Sequence, residues 1–147
     1  MKIYLDTSVI TIYLFGRYSE REAKRFHAVS RLFDLVNSHK ALAIISLYTL
    51  QEIFVFCKKI FEPEHGTISR LAFLQLLNND LSITGLLTRE DRLLHRMKFN
   101  LNDLSDQPHA ISAYINRCDA VITYDSHFLK IKDIISIYTP EEIVSKF

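Results

Sequence analysis

The sequence predicts an α/β fold: a single domain in which a parallel sheet is flanked by helices, an α/β/α sandwich. Strand-like and helix-like segments alternate along all 147 residues, and this alternation is typical of parallel sheets covered by helices. The strand-like segments are continuous apolar runs, which indicates burial on both faces. Only three Gly and three Pro are present, so long linkers are not expected. Residues 1–147 therefore form one predicted domain.

The first half of the chain contains two strand–helix units. A short apolar strand over residues 2–5 stops at Asp6, and Thr7 or Ser8 is placed to cap a helix over 9–15 that Gly16 ends. Apolar residues at helical spacing predict an amphipathic helix over 19–37. A buried strand follows at 41–45, and Ser46 is placed to cap a helix over 47–61.

The second half repeats the alternation. Helical spacing predicts a helix over 67–77, and a short strand follows at 81–84. A capping box that begins at Thr88 opens a helix to about residue 99, and a further helix covers 106–116. The last strands are 120–124 and 134–138, and a capping box that begins at Thr139 opens the closing helix.

Net charge, cysteine content and the absence of long apolar segments limit the classes of protein to which the chain can belong. The formal net charge is +1, so any polyanion must meet a local basic patch and not a uniformly positive surface. Cys57 and Cys118 lack metal-site spacing and are interpreted as buried free thiols in a reducing compartment. With no signal-peptide pattern and no apolar stretch of membrane-spanning length, a cytoplasmic location is expected and no membrane partner.

Carboxylates stand where a parallel sheet presents its ligand site. Asp6 follows the first strand and Asp125 follows the fourth, so both point to the carboxyl edge of the sheet, where ligands bind. Glu52 lies among apolar residues of its helix, and Asp106 begins the helix after 101–105. Carboxylates that converge on one point need a compensating cation, and oxygen ligands suit Mg²⁺ or Mn²⁺.

Each acid alone also has an ordinary interpretation. Asp6 and Asp125 suit turns or caps after strands, and Asp106 suits a helix cap. Glu52 could pair with a Lys such as Lys59, or face solvent. From residue chemistry alone, the metal site and these structural roles are about equally supported.

Four segments resemble the motifs of the PIN-domain family, in order and over nearly the whole chain. The first is the opening strand and turn, and the second is a helix glutamate after a buried strand. The third is an Asp that opens a helix rich in small residues, and the fourth is a strand that ends in Thr-x-Asp before Phe. The segments are residues 3–10 (IYLDTSVI), 50–53 (LQEI), 106–110 (DQPHA) and 119–128 (DAVITYDSHF).

The resemblance implies a PIN fold, a Mg²⁺ or Mn²⁺ requirement and endoribonuclease activity. It also implies kinship with VapC-like toxins, which an antitoxin inhibits and which commonly form homodimers. The residues carried over as catalytic metal ligands are Asp6, Glu52, Asp106 and Asp125. Those carried over or added as supporting groups around the ligands are Ser8, Thr123 and Asp119. Asp103 is an alternative third ligand, Asp119 is alternatively only the start of a strand, and Pro108 departs from the expected motif.

Basic and histidine side chains supply candidate substrate contacts. Arg17 and Arg21, beyond the helix that Asp6 opens, are the predicted RNA contacts in a basic stretch that continues to Arg31. His127 is interpreted as a turn residue and His109 as a packed, satisfied histidine.

Two other functions fit less well. An aspartyl-phosphate enzyme also places an Asp after its first strand, but here Ser8 stands where a second acid is usual. The principal alternative is a non-catalytic PIN-like module for RNA binding or assembly. The sequence predicts a metal-dependent endoribonuclease, the toxin of a toxin–antitoxin pair.

Overall fold

The computed structural model describes all of residues 1–147 and divides them into five strands and seven α-helices. The strands are β1 (Lys2–Leu5), β2 (Leu42–Ser46), β3 (Leu81–Thr84), β4 (Ala120–Ile122) and β5 (Ser136–Tyr138). The helices are α1 (Thr7–Phe15), α2 (Ala23–Asn37), α3 (Leu47–Ile60), α4 (His65–Leu77), α5 (Arg89–His95), α6 (Gln107–Ile115) and α7 (Pro140–Val144). Short 3₁₀ helices cover Gly16–Tyr18, Glu20–Glu22 and Ser126–Ile131.

The strands form one sheet in the order β3-β2-β1-β4-β5, and all neighbours are parallel. Strand β1 is central: Ile3 pairs with Ala43 of β2 on one side and with Ala120 of β4 on the other. The chain therefore builds outward from β1 in one direction and then returns to build in the other. The predicted α/β fold is confirmed, and the gap between the carboxyl ends of β1 and β4 is a topological switch point, where such sheets bind ligands.

Two cores lie on opposite faces of the sheet. Ile3 and Leu5 belong to the larger core of 20 buried residues, whereas Tyr4 belongs to a second core of 12. Successive strand residues point to opposite faces, so the continuous apolar run of β1 supplies both cores. The burial on both faces that the sequence predicted is confirmed.

Element boundaries differ from the predictions where tertiary contacts intervene. The helix predicted over 19–37 begins at Ala23, after two 3₁₀ turns. The helix predicted to reach residue 99 ends at His95, because Phe99 and Leu101 turn inward to the second core. Strand β4 ends at Ile122, two residues early. The 3₁₀ helix over Ser126–Ile131 was not predicted.

Helix caps follow the sequence in two places and differ in two. The predicted capping boxes of Thr88 and Thr139 are both present. Helix α1 is capped by Asp6, whose side chain accepts the backbone N–H of Ser8, and not by Thr7 or Ser8. Ser46 stands at the start of α3 but makes no side-chain cap; its hydroxyl accepts a hydrogen bond from Tyr4.

Surface and thiol features complete the fold. Both cysteines are free, with Cys57 buried and Cys118 half-buried. On α4, Ala72 is buried while Leu71 and Leu74 are exposed, so this apolar segment divides between core and surface. None of the helices is both long and apolar enough to cross a bilayer.

Candidate active site

Asp6 is the best-supported carboxylate at the switch point. Its Oδ2 accepts hydrogen bonds from the Ser8 hydroxyl at 2.6 Å and from the Thr123 hydroxyl at 2.8 Å. The backbone N–H of Ser8 also reaches Oδ2, at 3.3 Å. The residue is 5% exposed, and these donors compensate for the burial of a charge. Because all three fall on Oδ2, they fix the orientation of the carboxylate.

The same two hydroxyls join the ends of β1 and β4. Thr123 accepts the backbone N–H of Asp125 at 2.9 Å, and Ser8 accepts the backbone N–H of Tyr124 at 3.1 Å. Each hydroxyl therefore donates to Asp6 and accepts from the chain that carries Asp125. Asp125 also accepts the backbone N–H of His127 at 2.8 Å, so its turn role coexists with its place beside Asp6.

Asp106 stands at the N-cap position, directly before the first residue of α6, but its side chain does not cap the helix. Its Oδ2 is shielded from solvent and has no hydrogen-bond partner. Burial, together with the negative charges of Asp125 and Asp6, raises the pKa of Asp106 to about 6. Such a group is unfavourable as a bare anion and gains from a nearby cation.

Glu52 projects from α3 and is held by two side chains. Thr7 donates its hydroxyl to Oε2, and Nε2 of His109 lies 3.2 Å from the same atom. Burial of the carboxyl opposes ionisation, but the hydrogen bond and charge of His109, with the Thr7 hydroxyl, outweigh it and lower the pKa of Glu52. The predicted alternatives, a Lys59 pair or simple solvation, do not describe this contact.

A buried polar chain supports His109 from behind. The imidazole is 1% exposed, and its Nδ1 lies 2.8 Å from the Tyr4 hydroxyl, which donates to Ser46 at 2.7 Å. Burial acts to lower the pKa of His109, but the hydrogen bond and charge of Glu52 raise it above its ordinary value. His109 is a packed histidine whose Nδ1 is paired with Tyr4, while Nε2 faces Glu52 at 3.2 Å without full hydrogen-bond geometry, and it positions Glu52.

Two further side chains lie at the edge of the acids. Oδ1 of Asp103 accepts the backbone N–H and the hydroxyl of Ser105, at 2.8 and 2.7 Å. Nδ1 of His127 lies 3.4 Å from Oδ1 of Asp125 and 3.6 Å from Oδ2 of Asp106. His127 was interpreted as a turn residue; the sequence signal that could have placed it near the acids is its position two residues after Asp125.

Three of the site residues predicted from the sequence lie away from the acidic cluster. The Asp119 carboxylate accepts the backbone N–H of Lys2 at 2.7 Å, so it lies at the amino ends of β1 and β4, opposite the other acids. The placement of Asp119 as a support for the ligands is therefore wrong. Arg17 and Arg21 are exposed, and Arg17 lies over the ring of Tyr18. Neither contacts the acids.

Arg25 is a basic side chain that packs on Tyr124, the residue before Asp125. Its guanidinium carbon lies 4.7 Å from the centre of the Tyr124 ring, and Tyr124 directly precedes Asp125. Arg25 also forms an ion pair at 3.3 Å with Glu22, three residues earlier in the chain. The sequence placed Arg25 in a basic stretch, but only the packing of α2 against the end of β4 distinguishes it from its neighbours.

The donor set fits a hard divalent cation. The negative charges of Asp125 and Asp6 help to raise the pKa of Asp106, and Asp106 has a shielded oxygen with no partner. Carboxylate oxygens are the ligands that Mg²⁺ and Mn²⁺ prefer. No cysteine lies in the cluster to favour a thiophilic metal.

Sequence comparison identifies the family. The PIN-domain family model matches residues 2–127, a span that includes every acid of the cluster. The chain belongs to the PIN-domain family. No curated protein sequence matches it significantly.

Solved structures share the fold. One is VapBC2 from Rickettsia felis bound to a DNA fragment from its promoter, with a TM-score of 0.64 and 16% identity over 93% of this chain and 97% of that one. Another is DNA-bound VapBC from Salmonella typhimurium, with a TM-score of 0.64 and 22% identity over 95% and 98% of the two chains. At these identities the similarity establishes the fold.

Proposed function

We propose that this protein is a metal-dependent endoribonuclease that hydrolyses RNA phosphodiester bonds, as the toxin of a toxin–antitoxin pair. The observation that carries the proposal is the shielded, unpartnered Oδ2 of Asp106, at the switch point of a PIN domain beside Asp6 and Asp125. A protein that only bound RNA gains nothing from a carboxylate kept in this state, whereas a metal site does.

Asp6, Glu52, Asp106 and Asp125 would hold the cation, Mg²⁺ or Mn²⁺. When bound, it supplies an activated water and offsets the charge on the scissile phosphate. Ser8 and Thr123 fix the carboxylate of Asp6 through Oδ2. Thr7 and His109 do the same for Glu52 through Oε2. Fixed carboxylates lose little freedom on binding the ion, which favours tight and correctly oriented coordination.

The RNA backbone requires cationic contacts near the acids. Arg25, over Tyr124, is the basic group next to Asp125 and would meet a phosphate close to the cut. Arg17 and Arg21 are exposed and would contact the strand farther away. Tyr18, which is 79% exposed, offers an aromatic face for a base.

Cleavage of a mixed RNA pool tests the activity. The wild type is incubated with Mg²⁺ or Mn²⁺, beside an EDTA control and Asp6→Asn, which keeps a similar shape and removes the charge. The proposal requires cutting that depends on both the metal and Asp6. RNA that is bound but not cut by the folded, partner-free protein would instead support the non-catalytic module.

An antitoxin and a second copy of the chain are the proposed protein partners. Two apolar grooves support this proposal. One is lined by Leu47, Leu50, Phe54, Val55, Phe73 and Leu86. The other is lined by Leu14, Phe15, Tyr18, Phe61, Ile68 and Leu71. Exposed apolar grooves suit an amphipathic helix or a dimer contact. An RNA target would place the protein and its antitoxin in the cytoplasm.

Oligomeric state and co-purification test these partners. Light scattering of the isolated protein, with Phe54→Glu and Leu71→Glu as variants of the two grooves, should show a dimer that one of the substitutions disrupts. Co-expression with a small gene from the same operon should yield a stable, inactive complex. A monomer that neither associates nor is inhibited would contradict the proposed partners and leave the RNA-cleavage proposal to its own test.

A further inference from the structure

A second group of ligand atoms lies beside the four proposed metal ligands. One oxygen of Asp103, one of Asp106 and one ring nitrogen of His127 all lie within 4.8 Å of one another. These residues come from the loop before α6, the start of α6 and the 3₁₀ helix after β4. Only Asp106 belongs to both groups.

Asp106 supplies an independent sign that a ligand is expected here. The residue is 9% exposed, and its Oδ2 has no hydrogen-bond partner. That same oxygen faces Nδ1 of His127 at 3.6 Å. A buried acceptor without a donor is unfavourable, and a cation between Oδ2 and Nδ1 satisfies both atoms at once.

The distances around His127 fit shared coordination better than hydrogen bonding. Nδ1 lies 3.4 Å from Asp125 and 3.6 Å from Asp106, longer than the roughly 2.9 Å of an ordinary N–H···O bond. Two ligands with bonds of about 2.1 Å to one ion stand about 3.0 Å apart in octahedral geometry and about 3.4 Å in tetrahedral geometry. The spacing between His127 and Asp106 therefore needs a shift of only a few tenths of an ångström, and the Asp103 oxygen lies within 4.8 Å of both ligand atoms.

We propose that Asp103, Asp106 and His127 form a second cation position, and that its histidine nitrogen makes this position select Mn²⁺ over Mg²⁺. The inference rests on the proposed function, because Asp106 also serves the four-acid site. Imidazole nitrogen is a good ligand for first-row transition metals, whereas Mg²⁺ prefers oxygen and retains its waters. An all-carboxylate site lacks this basis for discrimination.

Asp103 is prepared for this role by its own turn. Its Oδ1 is occupied by two donors from Ser105, which orients the carboxylate, and these bonds help to lower the pKa of Asp103. The second oxygen is left for a ligand. Asp103→Asn retains an Oδ1 acceptor for Ser105 and removes the charge, so this variant separates the metal contact from the turn.

Mn²⁺ binding to the EDTA-treated, full-length protein without RNA is the test. Calorimetry counts the ions, and pulsed electron paramagnetic resonance detects ¹⁴N coupling from a coordinated imidazole. The wild type should bind a second Mn²⁺ and show the coupling. His127→Gln should lose the coupling and bind the second Mn²⁺ at least about tenfold more weakly, while its Mg²⁺ affinity changes less than about twofold. Asp103→Asn should weaken the second Mn²⁺ similarly.

His27→Gln is the matched control, because His27 is an exposed histidine on α2 and should change nothing. Nitrogen coupling that persists in His127→Gln, or equal losses of Mg²⁺ and Mn²⁺, would overturn the inference. The coupling present in a protein that cuts no RNA would leave the second position standing and refute the proposed function. RNA cleavage by a protein that shows no ¹⁴N coupling would support the proposed function and refute the second cation position.

Discussion

His109 and Glu52 meet between α6 and α3, with Nε2 of the imidazole 3.2 Å from Oε2 of the carboxylate. One partner is buried and the other is 38% exposed, so the contact links the second core to the edge of the active site. The Tyr4 hydroxyl occupies the other ring nitrogen. The ring is therefore held on both sides, and its orientation determines where the Glu52 carboxylate lies.

Replacing His109 by Leu should weaken both the fold and the metal site. The change removes one of the two hydrogen-bond partners of the Tyr4 hydroxyl, which keeps Ser46, and frees Glu52, so we expect the free energy of unfolding to fall by about 1–3 kcal/mol. The affinity for Mg²⁺ should fall by about 10-fold to 100-fold. Urea denaturation and calorimetry measure the two effects. Glu52→Gln is the comparison variant. If the double variant His109→Leu/Glu52→Gln binds Mg²⁺ no more weakly than the weaker of the two single variants, the two side chains act together.

Asp106 should make metal binding dependent on pH. Its pKa of about 6 means that a proton competes with the cation below that pH, so Mg²⁺ affinity should fall by up to about tenfold per pH unit there. Calorimetry across this range measures the effect. Affinity that stays flat through about pH 6 would contradict the assigned state of Asp106.

In the metal-free protein, protonation of Asp106 should stabilise the folded state. The folded-state pKa of Asp106 lies above the ordinary 3.8, so the native state binds the proton more tightly than the unfolded chain. Protonated Asp106 therefore contributes to the free energy of unfolding below the unfolded-state pKa. This contribution, at most about 3 kcal/mol, is lost as pH rises to about 6. Denaturation in EDTA measures it. Asp106→Asn should remove this component, and Mg²⁺ should restore stability at neutral pH.

Thr123→Val should impair catalysis while leaving the fold intact. The hydroxyl donates to Asp6 and accepts the N–H of Asp125, so its loss removes one of the three donors to the Asp6 carboxylate and leaves one backbone N–H without its acceptor. We expect the cleavage rate to fall by about 10-fold to 100-fold. Thr84→Val, at the end of β3, is the control: its hydroxyl donates to the carbonyl of Ile45, away from the acids. Equal losses in the two variants would indicate a general effect on the sheet.

Asp119→Asn should leave RNA cleavage unchanged. The carboxylate accepts the backbone N–H of Lys2 at the opposite edge of the sheet, and an Asn oxygen retains that acceptor. We expect a change in stability below about 1 kcal/mol and a cleavage rate within about twofold of the wild type. A large loss of RNA cleavage, measured under saturating Mg²⁺, would show that Asp119 contributes to the active site.

Arg25→Ala should weaken RNA binding more than Arg17→Ala or Arg21→Ala. Each variant is best measured in an Asp6→Asn background, so that the RNA survives. Loss of a phosphate contact should reduce the salt dependence of binding by about one unit of slope. Lys24→Ala, exposed on the same helix, is the matched control. If Lys24 matters as much as Arg25, the contribution is general charge and not a contact beside Asp125.

The fold was largely readable from sequence because its strands are continuous apolar runs between capped helices. Local chemistry also located Asp6 and Asp125, since a residue that follows a parallel strand can only lie at one edge of the sheet. The capping boxes at Thr88 and Thr139 were predictable for the same reason: both partners lie within one turn.

What the sequence did not reveal depends on contacts between distant segments. The support of Glu52 by Thr7 and His109 joins residues 45 and 57 positions apart along the chain, and no local pattern specifies such a pair. His127 was interpreted as a turn residue because its turn role is local, whereas its proximity to Asp106 requires the packing of α6 against β4. Asp119 was misplaced because it was grouped with the fourth motif by its nearness in sequence, whereas a residue that precedes a parallel strand lies at the amino edge of the sheet.

The position of β1 between β2 and β4 has a consequence for how the protein is made. A ribosome synthesises β1 first, but the strand that carries Thr123 and Asp125 to its other side emerges only after about four-fifths of the chain. Until then Asp6 lacks one of its two hydroxyl donors and the acids are dispersed. If the proposed function holds, a nascent chain would therefore stay inactive until most of it has been synthesised, and assembly of the acidic cluster would be one of the last steps of folding.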